Sequence, residues 1–165
     1  MLRNFRKPLI IVAPKILLRH NAGTSPITDM ESQTKFQNVI GDEKVEKSKV
    51  NKVILVSGKH YYALNHFRES TEQKNVAIIR IESLCPFPIQ ELLREINKFK
   101  YVETFIWSQE EPQNMGAWNF IKPRFENLCG KPVSGRKPMA APAVGEGKLH
   151  QQEVHIIQLS KSYLF

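Results

Sequence analysis

Short apolar runs alternate with segments of helical spacing through the middle of the chain. The runs at residues 52–56, 76–81 and 104–107 are continuous and rich in β-branched or aromatic residues, which predicts buried strands. The segments that include residues 61–67 and 86–99 space their apolar residues three and four apart and predict helices. Strands that alternate with helices across short turns predict a three-layer α/β domain, with a mostly parallel sheet of about five strands.

The N-terminal part of the chain predicts one more buried strand, followed by a loop. Residues 7–13 form a continuous apolar run with β-branched residues, typical of a strand buried on both faces, and Pro14 ends it. Residues 14–20 predict a single helical turn with a proline near its start. Residues 21–30 carry the glycine, proline and polar residues of a surface loop, and a short strand is predicted within residues 33–40.

The C-terminal part predicts a helix, an extended arm and a second helix. Residues 118–128 have helical apolar spacing, whereas residues 130–147 are rich in proline and glycine and predict an ordered arm along a surface. Helical spacing returns over residues 149–165, where Lys161 suits the negative end of the helix dipole. We therefore predict a single domain over residues 1–165, with the first strand and loop in 1–51, an α/β core in 52–129, and the arm and terminal helix in 130–165.

Composition limits the classes of protein to which the chain can belong. Its 165 residues are 41% hydrophobic and 24% charged, which is enough apolar material for one domain with a single core. No run of about 18 apolar residues occurs, so no membrane span and no membrane partner are predicted. Cys85 and Cys129 lie in or beside apolar runs and predict buried free thiols in a reducing compartment.

The net charge of +8, with an isoelectric point near 9.6, is the unusual global property of the chain. Such a charge suggests nucleic-acid binding when the basic residues cluster on one face. Here they are spread along the chain, without an RNA-binding aromatic signature, zinc-knuckle spacing or a helix-turn-helix pattern. We therefore expect no nucleic-acid partner and interpret the charge as a solvated basic surface or a face that meets an acidic partner.

One polar segment, residues 107–118, follows a predicted strand and carries the most prominent candidate chemistry. Trp107 and Trp118 bracket it and are predicted to be core residues, while Glu110 and Glu111 come directly after the strand. Functional loops of open α/β sheets usually occupy this place. The two carboxylates are either an acid–base pair, a cap on the following helix, or contacts to basic partners. The preference of acidic residues for helix starts favours the structural interpretations.

A second candidate site lies at the turn Ser57-Gly58-Lys59, between a predicted strand and the helix that follows it. The amides of the turn, the helix dipole and Lys59 can bind an anion such as phosphate, and we expect Arg80 to project toward the same edge. A tight turn with a solvated lysine is the favoured interpretation, because one glycine is a weak signal, and the anion site is the alternative. The five histidines lack the spacing to the cysteines that a metal site needs, so no metal site is predicted.

Several motifs fall in the order and approximate spacing of one enzyme family. They are Arg6-Lys7-Pro8-Leu9, Ser57-Gly58-Lys59 with Tyr61-Tyr62, Arg80-Ile81-Glu82 with Cys85-Pro86-Phe87-Pro88, residues 109–116, and Gly135-Arg136 with residues 140–143 and His150. Through them the chain resembles the C-terminal domain of the thiamine-diphosphate-dependent decarboxylating component of 2-oxo acid dehydrogenase complexes, in the oxoglutarate and oxoadipate group. The residues that carry the central motif are Gln109, Glu110, Glu111, Asn114 and Gly116. Residues 85–88 and 106–116 favour the oxoadipate branch.

The resemblance implies a fold like the C-terminal domain of transketolase. In the full-length family enzyme, a homodimer with thiamine diphosphate and magnesium decarboxylates a 2-oxo acid and passes the acyl group to the lipoyl arm of an acyltransferase component. The family also implies the mitochondrial matrix, although this chain shows no targeting segment. Some actinobacterial members bind acetyl-CoA as an activator on this domain, which supports an effector or anion site at Ser57, Gly58, Lys59 and Arg80.

The cofactor motifs of the resembled family are missing from this sequence. Family members hold magnesium and the diphosphate through Gly-Asp-Gly with a downstream Asn, and a glutamate in a separate domain activates the cofactor. Here Gly41-Asp42 is followed by Glu43, and Asp29 and Asp42 are the only aspartates. We therefore expect a non-catalytic terminal domain, a fragment or short form, with no catalytic and no cofactor-binding residue. The alternative is a stand-alone binding module for an anionic effector or an acidic partner.

Overall fold

The chain divides into two units, Met1–Thr34 and Lys35–Phe165. A computed structural model describes the backbone of residues 4–159 and the side chains of residues 4–154. The described part of the first unit contains three short 3-10 helices, Lys15–Arg19, Asn21–Gly23 and Ile27–Met30, none of which has a buried residue. The helical turn predicted after Pro14 is confirmed.

The second unit is built on a mostly parallel sheet, as the strand–helix alternation predicted. In the described residues the sheet has four strands: β1 Val39–Ile40, β2 Lys52–Val56, β3 Val76–Ile81 and β4 Thr104–Ser108. Their spatial order is β1-β3-β2-β4, in which β2 runs parallel to both neighbours and β1 runs antiparallel to β3. The short strand predicted within residues 33–40 is β1.

Helices cover both faces of this sheet and form the three predicted layers. They are α1 His60–Ser70, α2 Ile89–Ile96, α3 Trp118–Cys129 and α4 Gly147–Leu159, with a 3-10 turn at Lys47–Lys49. Successive residues of β2 point to opposite faces. Val53 and Leu55 pack in a core with α2 and α3, whereas Ile54 and Val56 pack beneath α1. Helix α4 lies against α1. None of the described helices is both long and apolar enough for a membrane span.

Helix α2 is shorter than the predicted helix over residues 86–99. It begins at Ile89, after Pro86 and Pro88, and ends at Ile96. Proline lacks an amide hydrogen, and it steers the residue before it away from helical backbone angles. The two prolines therefore delay the start of the helix.

Residues 7–13 do not form the predicted buried strand, and this prediction is wrong. The four residues from Leu9 to Val12 are 74% to 97% exposed and belong to no strand. A β-branched run needs a neighbouring strand to supply hydrogen bonds, and among the described residues no strand pairs with residues 7–13. At the outer edge of β4, the Ser134 carbonyl accepts a hydrogen bond from the Trp107 amide at 2.9 Å.

Most other local predictions are confirmed. Trp107 and Trp118 are buried, and residues 131–146 form neither helix nor strand apart from the bridge between Ile106 and Ser134. The terminal helix is confirmed as far as Leu159, whereas Lys161 lies outside the described residues. Both cysteines are free thiols, but Cys85 is exposed, so its predicted burial is wrong, because it lies in the loop before α2. Burial raises the pKa of the Cys129 thiol to about 11.

Candidate functional site

The candidate site lies between the carboxyl ends of β2 and β4. From β2 the chain passes through α1 to β3 on one side, and from β3 it returns through α2 to β4 on the other side. Open α/β sheets usually bind ligands where the strand order reverses in this way. A cavity of about 190 Å³ opens there, lined by the turn after β2 and the turn after β4, including Ser57, Lys59, His60, Ser108 and Glu110. The structure therefore brings both candidate motifs together in one crevice.

An ion pair joins the two turns across this crevice. Lys59 Nζ lies 2.7 Å from Glu110 Oε1, and both side chains are about half exposed. Solvent screens such a pair, so it links the turns while contributing about 0–1 kcal/mol to stability. Of the structural interpretations of Glu110, contact with a basic side chain is the one observed. No described side chain caps α3, and its first turn has no acidic residue, so capping by Glu110 or Glu111 is wrong.

A buried histidine–serine pair forms the floor of the crevice. His60 begins α1, Ser108 ends β4, and His60 Nε2 lies 3.0 Å from Ser108 Oγ. Burial lowers the pKa of His60, an effect that Glu110 and Glu111 oppose and Lys59 reinforces. The ring therefore favours its neutral form. Sequence reasoning singled out neither residue, although each stands at the end of an element that borders the switch point.

The side chain of Gln109 organises the turn after β4. Its oxygen accepts a hydrogen bond from the Trp107 indole N–H at 2.7 Å. Its amide group donates to three backbone carbonyls, those of Glu111 at 3.2 Å, Pro112 at 3.0 Å and Met115 at 2.7 Å. One buried side chain thus pairs with three backbone carbonyls of the turn and with the indole of the strand before it. The turn is therefore held by local bonds rather than left as a mobile loop.

Two glycines allow the backbone to approach these side chains closely. Gly116 has a φ of +63°, and a Cβ atom there would lie 3.0 Å from both Gln109 Nε2 and Glu111 Oε2. A Cβ atom at Gly135 would lie 2.2 Å from Trp118 Cζ3. A side chain at Gly116 would strain the backbone. One at Gly135 would displace the arm from the tryptophan ring.

The proline- and glycine-rich arm is fastened to this turn at two residues. Asn114 donates to the Met139 carbonyl at 2.9 Å and accepts from the Met139 amide at 3.0 Å. Arg136 donates to the Glu110 carbonyl at 2.5 Å and forms a 2.9 Å ion pair with Glu153 on α4. Arg136 is buried and therefore joins the turn, the arm and the last described helix.

A second cavity of about 210 Å³ lies beside this arginine. Its lining includes His60, Glu111, Arg136, His150 and Val154, so it borders α1, the turn, the arm and α4. His60 and the two glutamates of the turn line both cavities. The motif residues thus separate two neighbouring depressions at one end of the sheet.

The predicted anion-site residues lie near one another at the same edge. Gly58 has a φ of +67°, and Lys59 immediately precedes α1. Arg80 is paired in register with Val56, and its guanidinium carbon lies 4.5 Å from the Tyr61 ring centroid. Each cation already has an acidic neighbour, Glu110 for Lys59 and Glu82 for Arg80, the latter at 2.9 Å. In residues 4–154, no three His, Cys, Asp or Glu side chains converge as metal ligands.

A family model decides the relationship of the chain to known proteins. The model described as 2-oxoglutarate dehydrogenase C-terminal matches residues 24–160. The chain belongs to this family. The mostly parallel α/β fold of the described residues, with four strands, is consistent with the transketolase C-terminal-like architecture that the motifs implied.

Relatives of the 2-oxoglutarate dehydrogenase C-terminal family match almost the whole chain. The 2-oxoadipate dehydrogenase complex component E1 of Mus musculus is 51% identical over 99% of the chain. The probable homologue of this component in Caenorhabditis elegans is 46% identical over 91% of the chain, and the 2-oxoglutarate dehydrogenase E1 component of Haemophilus influenzae is 39% identical over 98%. The chain spans only 17% to 18% of the length of these three proteins. The sequence resemblance to the oxoglutarate and oxoadipate group is therefore confirmed.

Proposed function

We propose that this chain acts as the C-terminal domain of the decarboxylating E1 component of a 2-oxoadipate dehydrogenase complex. The observation that carries the proposal is the 51% identity to mouse 2-oxoadipate dehydrogenase E1 over 99% of the chain, against 39% to a bacterial 2-oxoglutarate dehydrogenase E1. In this role the domain supports a homodimer and braces the domains that hold thiamine diphosphate and magnesium. The acyl product passes to a lipoyl acyltransferase component, and the location is the mitochondrial matrix.

The pair Gly41-Asp42, which begins like the magnesium motif of the family, does not fit magnesium as a ligand. Asp42, the aspartate of the Gly41-Asp42 pair, is buried, and its carboxylate is already committed. It accepts from the Arg68 guanidinium, from the Ile78 amide at 2.8 Å and from the Lys44 amide at 3.0 Å. A carboxylate saturated in this way is a structural anchor rather than a metal ligand. The proposed role is therefore non-catalytic.

The rigidity of the turn after β4 supports a bracing function. Gln109, Asn114 and Arg136 bond to backbone carbonyls of the turn and the arm, so the polar surface at this end of the sheet has a fixed shape. A preorganised surface loses little conformational entropy when another domain packs on it. We infer that residues 109–116 form the face against which the cofactor domains pack.

A chimera of the mouse E1 component tests the proposed function. This chain would replace the C-terminal 18% that it matches, and turnover would be measured with 2-oxoadipate, thiamine diphosphate, magnesium and an artificial electron acceptor. We expect the chimera to turn over 2-oxoadipate faster than 2-oxoglutarate, and the chain alone to match a heat-killed control. Turnover by the chain alone would disprove the non-catalytic role, and a folded but inactive chimera would disprove the bracing role.

We also propose an effector site for a phosphorylated anion such as acetyl-CoA within the assembled enzyme. The observation that favours it is the proximity of the Ser57-Gly58-Lys59 turn, the start of α1 and Arg80 at one edge of the sheet. An incoming phosphate would compete with Glu110 for Lys59 and would gain the amides at the start of the helix. The relatives described above are enzyme components, so this site is proposed as part of an enzyme rather than of a stand-alone module.

Titration of the chain with acetyl-CoA tests this effector site. We expect NMR shifts centred on Gly58, with affinity that falls as salt rises, since exposed charges are screened beyond the Debye length. Lys59→Ala should remove most of the affinity, whereas Lys148→Ala, at an exposed lysine of α4, should not. Equal losses for both variants would mean nonspecific attraction to the basic surface and would refute the site.

A further inference from the structure

The cavity beside Arg136, here called the arm cavity, is large enough for a small organic molecule. Its volume of about 210 Å³ is bordered by α1, the turn after β4, the arm and α4. Ala63, Pro142, Ala143 and Val154 give it an apolar wall. An apolar cavity of about 150 Å³ can hold benzene, so the arm cavity has room for an organic body of about six carbons and a polar group.

An uncompensated negative charge lines the arm cavity, although the chain as a whole carries +8. Three glutamates line it, Glu110, Glu111 and Glu153, together with Arg136. Arg136 pairs with Glu153, and Glu110 pairs with Lys59. The carboxylate of Glu111 forms no ion pair or hydrogen bond with any side chain or backbone group in residues 4–154. The cavity therefore favours a positively charged ligand.

A buried hydrogen-bonding group faces the same cavity. His60 lines it and is 8% exposed. Its Nε2 lies against Ser108 Oγ, whereas its Nδ1 has no hydrogen bond to a described residue. When Nε2 carries the proton of the neutral ring and donates it to the Ser108 hydroxyl, Nδ1 presents a free lone pair. Burial lowers the pKa of His60, and the charges of Glu110 and Glu111 oppose this shift, so the carboxylates lie near the ring.

We propose that the arm cavity binds a small organic cation, a primary ammonium group on an apolar body of about six carbons. The ammonium group donates hydrogen bonds to the Glu111 carboxylate and to His60 Nδ1, and the apolar body packs against Ala63 and Val154. Hydrogen bonds between two charged groups are roughly twice as strong as neutral ones. This inference goes beyond the proposed function and does not depend on it, because every lining residue belongs to this chain.

A metal ion and an anion fit the arm cavity less well than an organic cation. In the described part of the chain, no three His, Cys, Asp or Glu side chains converge as metal ligands. An anion would meet the charge of Glu111, and Arg136 could not balance it, because this arginine is already bonded to the Glu110 carbonyl and to Glu153. The ligand is therefore opposite in charge to the phosphorylated anion proposed for the turn after β2.

Titration of the chain with cyclohexylammonium, followed by NMR, tests the arm cavity. We expect saturable amide shifts centred on Ala63, Glu111 and His150, which line the cavity from three elements. Cyclohexanol lacks the charge and the ammonium ion lacks the apolar body, so each should bind at least about tenfold more weakly. A chain of net charge +8 repels cations in general, so nonspecific attraction does not imitate this result.

Variants separate the charge of the site from its volume. Glu111→Gln keeps the shape and removes the charge, and it should weaken binding of cyclohexylammonium at least about tenfold. Ala63→Phe, at an exposed position of α1, should fill the cavity and abolish binding. Glu103→Gln, at an exposed glutamate just before β4, should leave the affinity unchanged. An unchanged urea midpoint establishes that each variant is folded.

The results either support the arm cavity or overturn it. Binding of cyclohexanol as tight as that of cyclohexylammonium would overturn the role of the charge, and shifts scattered over the surface would overturn the site. Equal affinities for Glu111→Gln and Glu103→Gln would also refute the proposal. If Glu111→Gln does not fold, the comparison of the three ligands on the unchanged chain decides the question.

Discussion

Residues 9–13 and strand β2 have similar compositions and opposite surroundings. The first reads Leu-Ile-Ile-Val-Ala and the second Lys-Val-Ile-Leu-Val. Leu55 in β2 is completely buried, whereas Val12 is almost completely exposed. Strand β2 has a hydrogen-bonded strand on each side and a helical layer over each face. An apolar run thus defines the environment that a segment needs, and the neighbouring strands decide whether it obtains that environment.

The difference assigns the stability of the chain to its second unit. Burial of one large apolar side chain contributes about 1.5–3 kcal/mol, a gain that β2 obtains and residues 9–13 do not. The free energy of unfolding of this chain should therefore depend on the core around β2 and hardly at all on residues 9–13.

The largest contrast is expected between Trp107→Ala and Ile11→Ala. Trp107 is buried and pairs in register with Leu55 of β2, so its truncation should lower the free energy of unfolding by about 3–5 kcal/mol. Ile11 contacts no core, and its truncation should change this free energy by less than about 0.5 kcal/mol. Urea denaturation of both variants measures the difference. An unchanged midpoint for Trp107→Ala would contradict the placement of β4, and a large loss for Ile11→Ala would contradict the division.

A smaller loss is expected from Asp42→Ala, because the second unit has a buried polar anchor as well as an apolar core. The ion pair of Asp42 with Arg68 is buried on both sides, and removal of one partner leaves an uncompensated charge. We expect a loss of about 3 kcal/mol, near the low end of the range for such pairs, since Arg68 keeps its bonds to the Val76 carbonyl and Asn65.

The control for this anchor is Glu69→Ala, which removes an exposed ion pair with Lys44. Both of those side chains are more than half exposed, so the loss should stay below about 1 kcal/mol. Equal losses for Asp42→Ala and Glu69→Ala in urea denaturation would mean that burial of the anchor has no energetic consequence.

The loss of stability at acid pH should also arise from the second unit. The pKa of His60 is lowered in the folded chain from its ordinary value of 6.5, chiefly by burial. As pH falls below 6.5, the unfolded chain therefore binds the proton before the folded chain does, and the free energy of unfolding decreases. Above pH 6.5 the stability contributed by neutral His60 is fully present. The total change should be about 1 kcal/mol for each unit of pKa difference.

The variant His60→Gln should flatten this pH dependence. His66→Gln, at an exposed histidine on the same helix, should leave it unchanged. Urea denaturation between pH 5 and pH 8, a range of roughly the ordinary histidine titration, measures both slopes. A slope that survives His60→Gln would assign the acid sensitivity to another group.

The smallest effect is expected from the ion pair at the surface of the candidate site. Lys59→Ala should lower the free energy of unfolding by about 0–1 kcal/mol, because both Lys59 and Glu110 are about half exposed. A double-mutant cycle with Glu110→Ala, at low and high salt, measures the coupling. Coupling well above about 1 kcal/mol would show that the crevice is drier than its exposure indicates.

Local patterns sufficed for the elements whose partners lie nearby in the chain. Strands β2, β3 and β4 and the helices between them follow from apolar spacing, because each strand packs on helices encoded within a few tens of residues. The start of α2 was predicted three residues too early. Apolar spacing does not show that Pro88 lacks an amide hydrogen, which is what delays the helix. The strand at residues 7–13 failed for a different reason, because a pattern of side chains carries no information about a missing neighbour.

The candidate site depends on contacts that are distant in sequence. Lys59 and Glu110 are 51 residues apart, and only the strand order β3-β2-β4 brings their turns together. The pairing of His60 with Ser108, 48 residues apart, has the same origin. Arg136 carried a weak signal through the Gly135-Arg136 motif, but its contacts with Glu110 and Glu153 required the path of the arm. Spacing alone predicted the residues at the edge, and topology determined which of them meet.

The bridge from the arm to β4 has a consequence for synthesis on the ribosome. Ser134 bonds to Phe105 and Trp107, and it follows Phe105 by 29 residues. At ribosomal rates of roughly 5–20 residues per second, the outer edge of β4 is unpaired for about 1.5–6 s after it emerges. During that interval a nascent chain presents an apolar strand with open hydrogen-bonding groups, which is the surface that chaperones must protect from aggregation.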